Sequence, residues 1–344
     1  VLLVSGYYAL CRLVVLQRRH RVWAPALRMA GWLLVMVLLG LGLGAIQFVP
    51  LYEVASRNFR VGSVAYSDVA GWALPARRII SFLIPDFFGN ASHHAYFDVI
   101  TRRWLPIGLN SHGQVNPLCP YCTGWDTKNS VEAGAYLGIL PLLLSVTAAW
   151  GWITDRRRGD VSQRSPGRVW IFALLAVLSL LLTFGTPLYA LLYYGLPFWN
   201  QLHSPFRWIY PFTLSIAVLA GLGATYLARA VSQGDLPTAK ERTRASLHPL
   251  YAFSLRLGWL AFWGGLAGLI IMLVVLVSPA PFVRFGQMAL ERSGLAQNAF
   301  ADGRQFLGYQ WPNLFKFFLF VMAAGAVLRI SRCPIYFPQR LGGL

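Results

Sequence analysis

Seven stretches of this 344-residue chain are long and apolar enough to cross a membrane, and this pattern constrains the fold more than any other feature. A helix of about 20 residues crosses a hydrocarbon core about 30 Å thick. The stretches are roughly 1–16, 27–52, 133–153, 169–195, 206–229, 256–279 and 314–331. We therefore predict an all-α, polytopic integral membrane protein, with residues 1–344 forming a single transmembrane domain.

The amino-acid composition is typical of a chain embedded in a lipid bilayer. Hydrophobic residues make up 56% of it and charged residues 12%, against about 45–50% and 25% in soluble domains. These values exclude disordered, collagen-like and disulfide-scaffold chains. A net charge of +18 is also found in nucleic-acid-binding proteins, but here the basic residues lie in short loops between the apolar stretches. We interpret the charge as a sign of topology and expect no nucleic-acid partner.

Basic residues are dense in three of the loops, at about 18–28, 156–168 and 240–256. Short loops rich in Arg and Lys stay on the cytoplasmic side of a membrane. The loops that remain for the other side are 53–132, 196–206 and 280–313. The charge pattern thus predicts a multi-pass protein with long extracytoplasmic loops, in contact with membrane lipids.

The extracytoplasmic loop 53–132 is far longer than an ordinary connection, which is typical of functional loops. Its part 68–90 mixes Trp, Phe and Ile with an Arg pair, as a segment lying along a membrane surface would. Residues 283–300 show a similar amphipathic pattern. We expect interfacial helices in these loops and no separate soluble domain.

Carboxylates at the predicted outer boundary are candidate catalytic groups, because an acid near lipid is costly to keep charged. Glu53 ends the second apolar stretch, and Asp86 lies between aromatic residues in 84-IPDFFGN-90. Such a partly desolvated acid suits proton transfer. The alternative is that each acid caps a helix or pairs with an Arg. Asp68 is the expected cap, because a helical pattern follows it.

Arginines at the same boundary are candidate phosphate ligands, because the planar guanidinium group matches two phosphate oxygens. They are Arg57, Arg60, Arg77, Arg78 and Arg207. The alternative is that they extend towards lipid headgroups without a specific ligand. Arg207 is the favoured ligand because it lies at a predicted helix start in 203-HSPFRW-208, four residues after His203.

Cys119 and Cys122 form a Cys-Pro-Tyr-Cys motif, which is typical of glutaredoxin-like redox sites. A redox site of that kind needs a strand that leads into a helix of a soluble fold. In a loop on the oxidising face of a membrane, a disulfide that closes a tight turn is the expected structure. His93, His94 and His112 allow a divalent metal site as an alternative, although the spacing matches no standard zinc pattern.

Four segments, in this order, resemble bacterial YfhO-like membrane proteins: 50-PLYEVASRNFR-60, 81-SFLIPDFFGN-90, 132-EAGAYLGILPLLLS-145 and 203-HSPFRWIYPFTLSIAVLAGLGATYL-227. Those proteins are related to the GT-C superfamily of glycosyltransferases, which use polyprenyl-phosphate sugars. The resemblance covers most of 45–230. It implies transfer of a sugar from a lipid-linked donor to a cell-envelope acceptor, on the outer face of the bacterial cytoplasmic membrane.

The resemblance also implies roles for the candidate residues. Asp86 or Glu53 would activate the acceptor hydroxyl, and Arg57, Arg207 and His203 would hold the departing lipid phosphate. We expect a single pocket on the outer face, formed by Asp86, Glu53, Arg57 and Arg207. No cofactor is expected beyond a possible divalent metal ion. The chain departs from the family in His203, where the family favours Arg. It also begins without Met inside an apolar run, so we expect a fragment that starts after the loop in which the superfamily's usual catalytic acid lies.

Two other functions remain open from the sequence. One is a transporter or flippase of lipid-linked intermediates, and the other is a non-catalytic membrane assembly protein. A transporter of this kind would carry ionisable residues or broken helices near the middle of the membrane, and a repeat between its halves. None of these features is evident in the sequence, so the long aromatic outer loops favour chemistry at the surface.

The predicted orientation can be tested by cysteine labelling in intact cells. Gly159→Cys should stay unlabelled by a membrane-impermeant maleimide, because position 159 lies within an Arg-rich loop. Gly113→Cys, in the long loop 53–132, should be labelled above the background of the native cysteines. Strong labelling at position 159 would invert the orientation and every site assignment that depends on it.

Overall fold

The computed structural model describes residues 2–21, 23–57, 64–128, 134–157, 166–196, 199–201, 204–232 and 249–330. This part of the chain is mostly helical, with one two-stranded sheet. The chain divides into two compact units, Val1–Ala73 with Ser165–Phe212, and Leu74–Arg164 with Thr213–Leu344. We call them unit 1 and unit 2 and describe each by itself. The single transmembrane domain stays a prediction.

The elements follow in chain order. They are α1 (Leu2–His20), α2 (Ala24–Ser56), α3 (Tyr66–Gly71), a 3-10 helix (Ala76–Phe82), β1 (Ala95–Asp98), β2 (Arg103–Pro106), α4 (Ile139–Arg157), α5 (Pro166–Thr183), α6 (Leu188–Gly195), two 3-10 helices (Trp199–Gln201 and Pro205–Trp208), α7 (Ile209–Ser232), α8 (Pro249–Val277), α9 (Pro279–Glu291), α10 (Gly294–Gln297) and α11 (Gly303–Ile330).

Among the described residues, four helices are long and apolar enough to cross a membrane: Ala24–Val54, Pro205–Ala228, Ala252–Val277 and Gly303–Ile330. The chain is therefore a membrane protein. A fifth span results if Arg168–Thr183 and Leu188–Gly195 are counted together. Ile139–Thr154 is apolar but shorter. The predicted count of seven spans stays a prediction.

Unit 1 contains a broken helix, a feature that the sequence analysis did not detect. The axes of α5 and α6 differ by 82° across a short break. Gly185 lies in the break with a φ of +63°, a left-handed conformation that a glycine adopts without strain. A Cβ at Gly185 would lie 2.5 Å from the Cβ of Ala73. The break thus depends on a glycine that lets two backbone segments approach closely.

The core of unit 1 joins the broken helix to the segment that follows α2. Val69, Leu182, Tyr189 and Tyr193 are buried together, and the Tyr193 hydroxyl donates a hydrogen bond to the Val64 carbonyl. Hydrophobic burial and this long-range hydrogen bond therefore hold α3 in place.

Asp68 does not have its predicted capping role. Ala65 occupies the N-cap position of α3, and Asp68 lies within the first turn of the helix, where it is exposed. The predicted role is wrong because the helix begins three residues earlier than the sequence pattern indicates.

Glycines bring α8 and α11 of unit 2 into close contact. A Cβ at Gly265 of α8 would lie 2.4 Å from the backbone nitrogen of Met322, and one at Gly325 of α11 would lie 2.4 Å from that of Phe262. Small residues permit this approach between helices in a membrane, where packing rather than hydrophobicity drives association. A similar contact joins α4 to α7, since the Ser145 hydroxyl donates to the Ile216 carbonyl over 3.0 Å.

Residues 74–128 of unit 2 form a folded layer rather than a simple connection. β1 and β2 pair antiparallel, from Ala95 opposite Pro106 to Asp98 opposite Arg103. The layer packs on α9, α10 and the first turns of α11 through a buried aromatic cluster that includes Phe88, Trp125, Phe300 and Tyr309. The long loop thus has its own hydrophobic core, and the interfacial position of its helices stays a prediction.

The close approach of α8 and α11 can be tested with two adjacent glycines. Gly265→Ala should lower stability by about 1–3 kcal/mol, because the added methyl group would displace the backbone of α11. Gly264→Ala is the matched control, because a Cβ there has no neighbour within 4 Å. The measurement is thermal unfolding in detergent. Equal unfolding temperatures for the two variants would contradict this account of the helix packing.

Candidate functional site

A cavity of ≈ 300 Å³ lies in unit 2 between the β-hairpin and α11. We call it the histidine cavity. Its lining residues are Ser92, His93, His94, Ala95 and Trp104 from the hairpin region, and Tyr309, Pro312, Asn313 and Lys316 from α11. The α11 residues follow the spacing i, i+3, i+4, i+7 from Tyr309, which places their side chains on one face of a helix. The cavity therefore combines imidazole, phenol, amide and ammonium groups on a rigid frame.

The two histidines of the cavity are held in different ways. His94 Nδ1 lies 2.9 Å from the Tyr121 carbonyl oxygen and donates a hydrogen bond to it. In the neutral ring this leaves Nε2 unprotonated and able to accept a proton. His93 is half-buried, with Nδ1 3.1 Å from the Tyr309 hydroxyl oxygen. His94 is thus oriented as a base, while His93 connects the hairpin to α11.

Asp86 lies next to the lining of the histidine cavity and is half-buried. Its carboxylate accepts a hydrogen bond of 3.1 Å from the Asn90 side chain, and its backbone carbonyl accepts one of 3.3 Å from Asn313 Nδ2. Gln310 Nε2 donates to the neighbouring Phe87 carbonyl over 2.7 Å. Side-chain amides of α11 therefore hold the backbone at Asp86 against the helix.

Arg77 and Arg78, which the sequence offered as phosphate ligands, bind the buried carboxylate of Asp126. Arg77 Nη2 lies 2.5 Å from Asp126 Oδ1, and Arg78 Nε donates to Oδ2. Burial by itself would raise the pKa of Asp126, but the hydrogen bonds from Arg77 and Arg78 hold it below its usual value. The sequence analysis did not single out Asp126 as the partner of this Arg pair.

Asp98 and Arg304 form a second buried ion pair, between β1 and the first turn of α11. Arg304 donates from Nε to Asp98 Oδ1 over 2.7 Å and from Nη2 to Oδ2 over 2.5 Å. The backbone nitrogen of Thr101 donates to the same carboxylate over 3.0 Å. The hydrogen bonds from Arg304 hold the pKa of the Asp98 carboxyl well below its usual range.

The four residues expected to share one pocket belong to different units. Glu53 and Arg57 of unit 1 are exposed and form an ion pair of 3.3 Å one helical turn apart. Arg207, also of unit 1, is exposed in the 3-10 helix Pro205–Trp208. Asp86 belongs to unit 2. Their convergence stays a prediction, and His203 and Arg60 lie outside the described residues.

Cys119 and Cys122 are joined by a disulfide that closes the turn. Cys122 is buried, and Asn116 Nδ2 donates to the Cys122 carbonyl over 3.2 Å and to the Gly124 carbonyl over 2.7 Å. Within the described parts of the chain, no group of three or more His, Cys, Asp or Glu residues could hold a metal ion. The divalent ion considered from the sequence therefore has no site among those residues.

Sequence reasoning missed the contribution of α11 to the cavity. Tyr309, Asn313 and Lys316 lie in or beside an apolar run, which predicts only a membrane span. The available signal was Lys316 in 314-LFKFFLF-320, because a charged residue within an apolar span is rare and often functional. Its neighbours in the cavity come from a segment more than 200 residues earlier in the chain.

Comparison with protein-family profiles, with curated proteins and with solved structures finds no match to this chain.

The buried ion pairs predict a loss of stability in acid. Because the pKa values of Asp98 and Asp126 are lower in the folded chain than in the unfolded chain, their stabilisation is present above about pH 4 and is lost as the pH falls further. We expect a lower unfolding temperature in detergent at pH 3 than at pH 7. Asp98→Asn should reduce this difference and also destabilise the protein at pH 7.

Asp68→Asn is the control for this experiment, since Asp68 is exposed on α3. It should retain the full difference between the two pH values. A pH dependence in Asp98→Asn equal to that of the unmodified protein would show that the Asp98–Arg304 pair does not contribute to it.

Proposed function

We propose that the protein is a membrane glycosyltransferase of the GT-C type with its reaction site in the histidine cavity. It would transfer a sugar from a polyprenyl-phosphate donor to a cell-envelope acceptor on the outer face of a bacterial cytoplasmic membrane. The observation that carries the proposal is the composition of the cavity. A cation, two imidazoles and an amide line it where the apolar part of α11 begins.

Lys316 is the residue proposed to hold the lipid phosphate. It is the only charged residue of α11 between Arg304 and Arg329, and its side chain is exposed at the cavity. The apolar helix beyond it offers a surface along which a polyprenyl chain can lie. An ammonium group at this place favours a phosphate that stays at the membrane boundary while its lipid tail remains in the hydrocarbon core.

The proposed reaction uses His94 as the base. Nε2 of His94 takes the proton of the acceptor hydroxyl, and the hydroxyl oxygen forms a bond to the anomeric carbon of the sugar. The bond between that carbon and the phosphate oxygen breaks, and its electron pair stays on the lipid phosphate. The Lys316 ammonium group stabilises the charge that develops there. Asp86 remains the second candidate base, because its backbone carbonyl accepts a hydrogen bond from Asn313, which lines the cavity.

The test is sugar transfer in proteoliposomes that contain the full-length protein, a panel of radiolabelled polyprenyl-phosphate sugars and envelope acceptors. Lys316→Gln should raise the KM for the donor about tenfold or more, and Lys316→Arg should restore part of the loss, because the guanidinium group also binds phosphate. Arg284→Gln is the matched control, because Arg284 is an exposed cation of α9 that does not line the cavity.

Two further variants separate the candidate bases. His94→Gln should lower kcat about 10²–10⁴-fold with little change in the donor KM, if His94 is the base. Asp86→Asn should have that effect if Asp86 is the base. Transfer at the unmodified rate in Lys316→Gln, His94→Gln and Asp86→Asn would place the reaction elsewhere in the protein.

The broken helix of unit 1 favours a second function, a transporter or flippase of lipid-linked intermediates. Discontinuous helices are typical of transporter binding sites, and α5 and α6 meet at 82°. A fluorescent polyprenyl-phosphate probe in proteoliposomes distinguishes the two functions. Movement of the probe to the opposite leaflet without sugar transfer would support transport, and transfer without movement would support the glycosyltransferase. An assembly protein would show neither.

A further inference from the structure

A second cavity of ≈ 410 Å³ lies in unit 2 beside the disulfide turn. We call it the arginine cavity. Its lining includes Arg78, Phe88, Gly89, Asp126, Thr127 and Lys128, and it shares no residue with the histidine cavity. Its volume lies within the range of small-molecule sites. Neither the disulfide nor the proposed transfer reaction accounts for a cavity of this size with charged walls.

The described side chains of the arginine cavity carry an excess of positive charge. The carboxylate of Asp126 is fully buried and binds both Arg77 and Arg78, so two guanidinium groups share one negative charge. Lys128 adds a third cation to the lining. Among the described side chains that line the cavity or bind Asp126, the net charge is +2.

The excess of positive charge matters at Arg78 because the guanidinium group of this residue is buried and is not solvated by water. Its side chain is only 4% exposed and lies 5.1 Å from the centre of the Phe88 ring. Its position is fixed by Asp126 and by a hydrogen bond of 2.5 Å from Nη2 to the Lys128 carbonyl. A buried guanidinium group whose counter-charge is shared with another cation gains free energy when an anion binds beside it.

The walls around these cations suit a compact anion. Gly89 has a φ of +82°, and a Cβ there would lie 1.9 Å from the Thr123 carbonyl oxygen, so this wall is bare backbone. Thr127 adds a hydroxyl group to the lining. A phosphate ester carries one or two negative charges and several oxygen acceptors, which match a guanidinium group, an ammonium group and a hydroxyl group within one cavity.

We infer that the arginine cavity binds a phosphate ester. The ligand is the headgroup of an anionic phospholipid or a soluble polyol phosphate, since both present the same group. Leu118 and Tyr121, at and beside the cavity, are exposed and can contact lipid if the ligand is a headgroup. The inference goes beyond the proposed function and does not depend on it, since the two cavities are lined by different residues.

The experiment measures the unfolding temperature of the purified protein in an uncharged detergent. One arm titrates glycerol 3-phosphate, the other titrates a short-chain phosphatidylglycerol, and each is compared with chloride at matched ionic strength. A ligand that binds the folded state raises the unfolding temperature in a saturable way. Lys128→Gln should weaken the apparent affinity about tenfold, because one charge-assisted hydrogen bond is lost. Lys128→Arg should restore it.

Two matched controls separate this site from general charge effects and from the proposed reaction. Arg103→Gln removes an exposed cation of β2 outside the cavity and should leave the affinity unchanged. Lys316→Gln, in the histidine cavity, should also retain it. Arg78→Gln would also remove a partner of buried Asp126 and could therefore destabilise the fold. Lys128→Gln is the variant that tests the phosphate site.

A saturable shift with glycerol 3-phosphate supports a soluble ligand, and a shift with the phospholipid alone supports a headgroup site. The inference is overturned if neither probe raises the unfolding temperature, or if the shift is the same in Lys128→Gln as in the unmodified protein. A shift that Lys316→Gln abolishes and Lys128→Gln leaves intact would move the phosphate site to the histidine cavity, which would contradict this inference and support the proposed function.

Discussion

The ion pair between Asp98 and Arg304 is the interaction on which the layer above α11 depends. It joins the end of β1 to the first turn of α11 with two hydrogen bonds. Gly308, one turn further on, lets the Phe97 carbonyl come so close that a Cβ would lie 2.5 Å from its oxygen. Because Asp98 is fully buried, loss of Arg304 would leave a charge without its partner, which is far more costly than never having the pair.

With its first turn fixed to the β-hairpin by this ion pair, α11 lies in two different environments. Its first turns pack in the aromatic core with Phe300 and Trp125, as in a soluble domain, whereas its later turns pack against the glycines of α8, as in a membrane bundle. Lys316 lies where one environment changes into the other. A cation at this place would suit a ligand that is itself half lipid and half polar, and this match is the physical basis of the proposed function.

The two cavities of unit 2 differ in how their charges are held. In the histidine cavity, His94 is oriented by a single carbonyl and is exposed, which suits the role of base proposed for it. In the arginine cavity, Arg78 is buried and fixed by Asp126, which suits binding rather than proton transfer. The disulfide turn contributes to both, because Tyr121 orients His94 while Cys119 and Cys122 line the arginine cavity.

The sequence by itself determined the membrane class, four of the expected helices and the residues available for a disulfide, because hydropathy, helix length and Cys spacing are local properties. It also marked Asp86, His93 and His94 as candidates without showing what surrounds them. Only the tertiary structure decided that Arg78 meets Asp126, 48 residues away, and that Asp98 meets Arg304, 206 residues away. It also decided the hairpin and the break at Gly185, because strands of four residues and a single glycine have too little local pattern to be predicted. The reason is that both cavities are built from contacts between distant segments, and long-range packing leaves no periodic pattern in the chain.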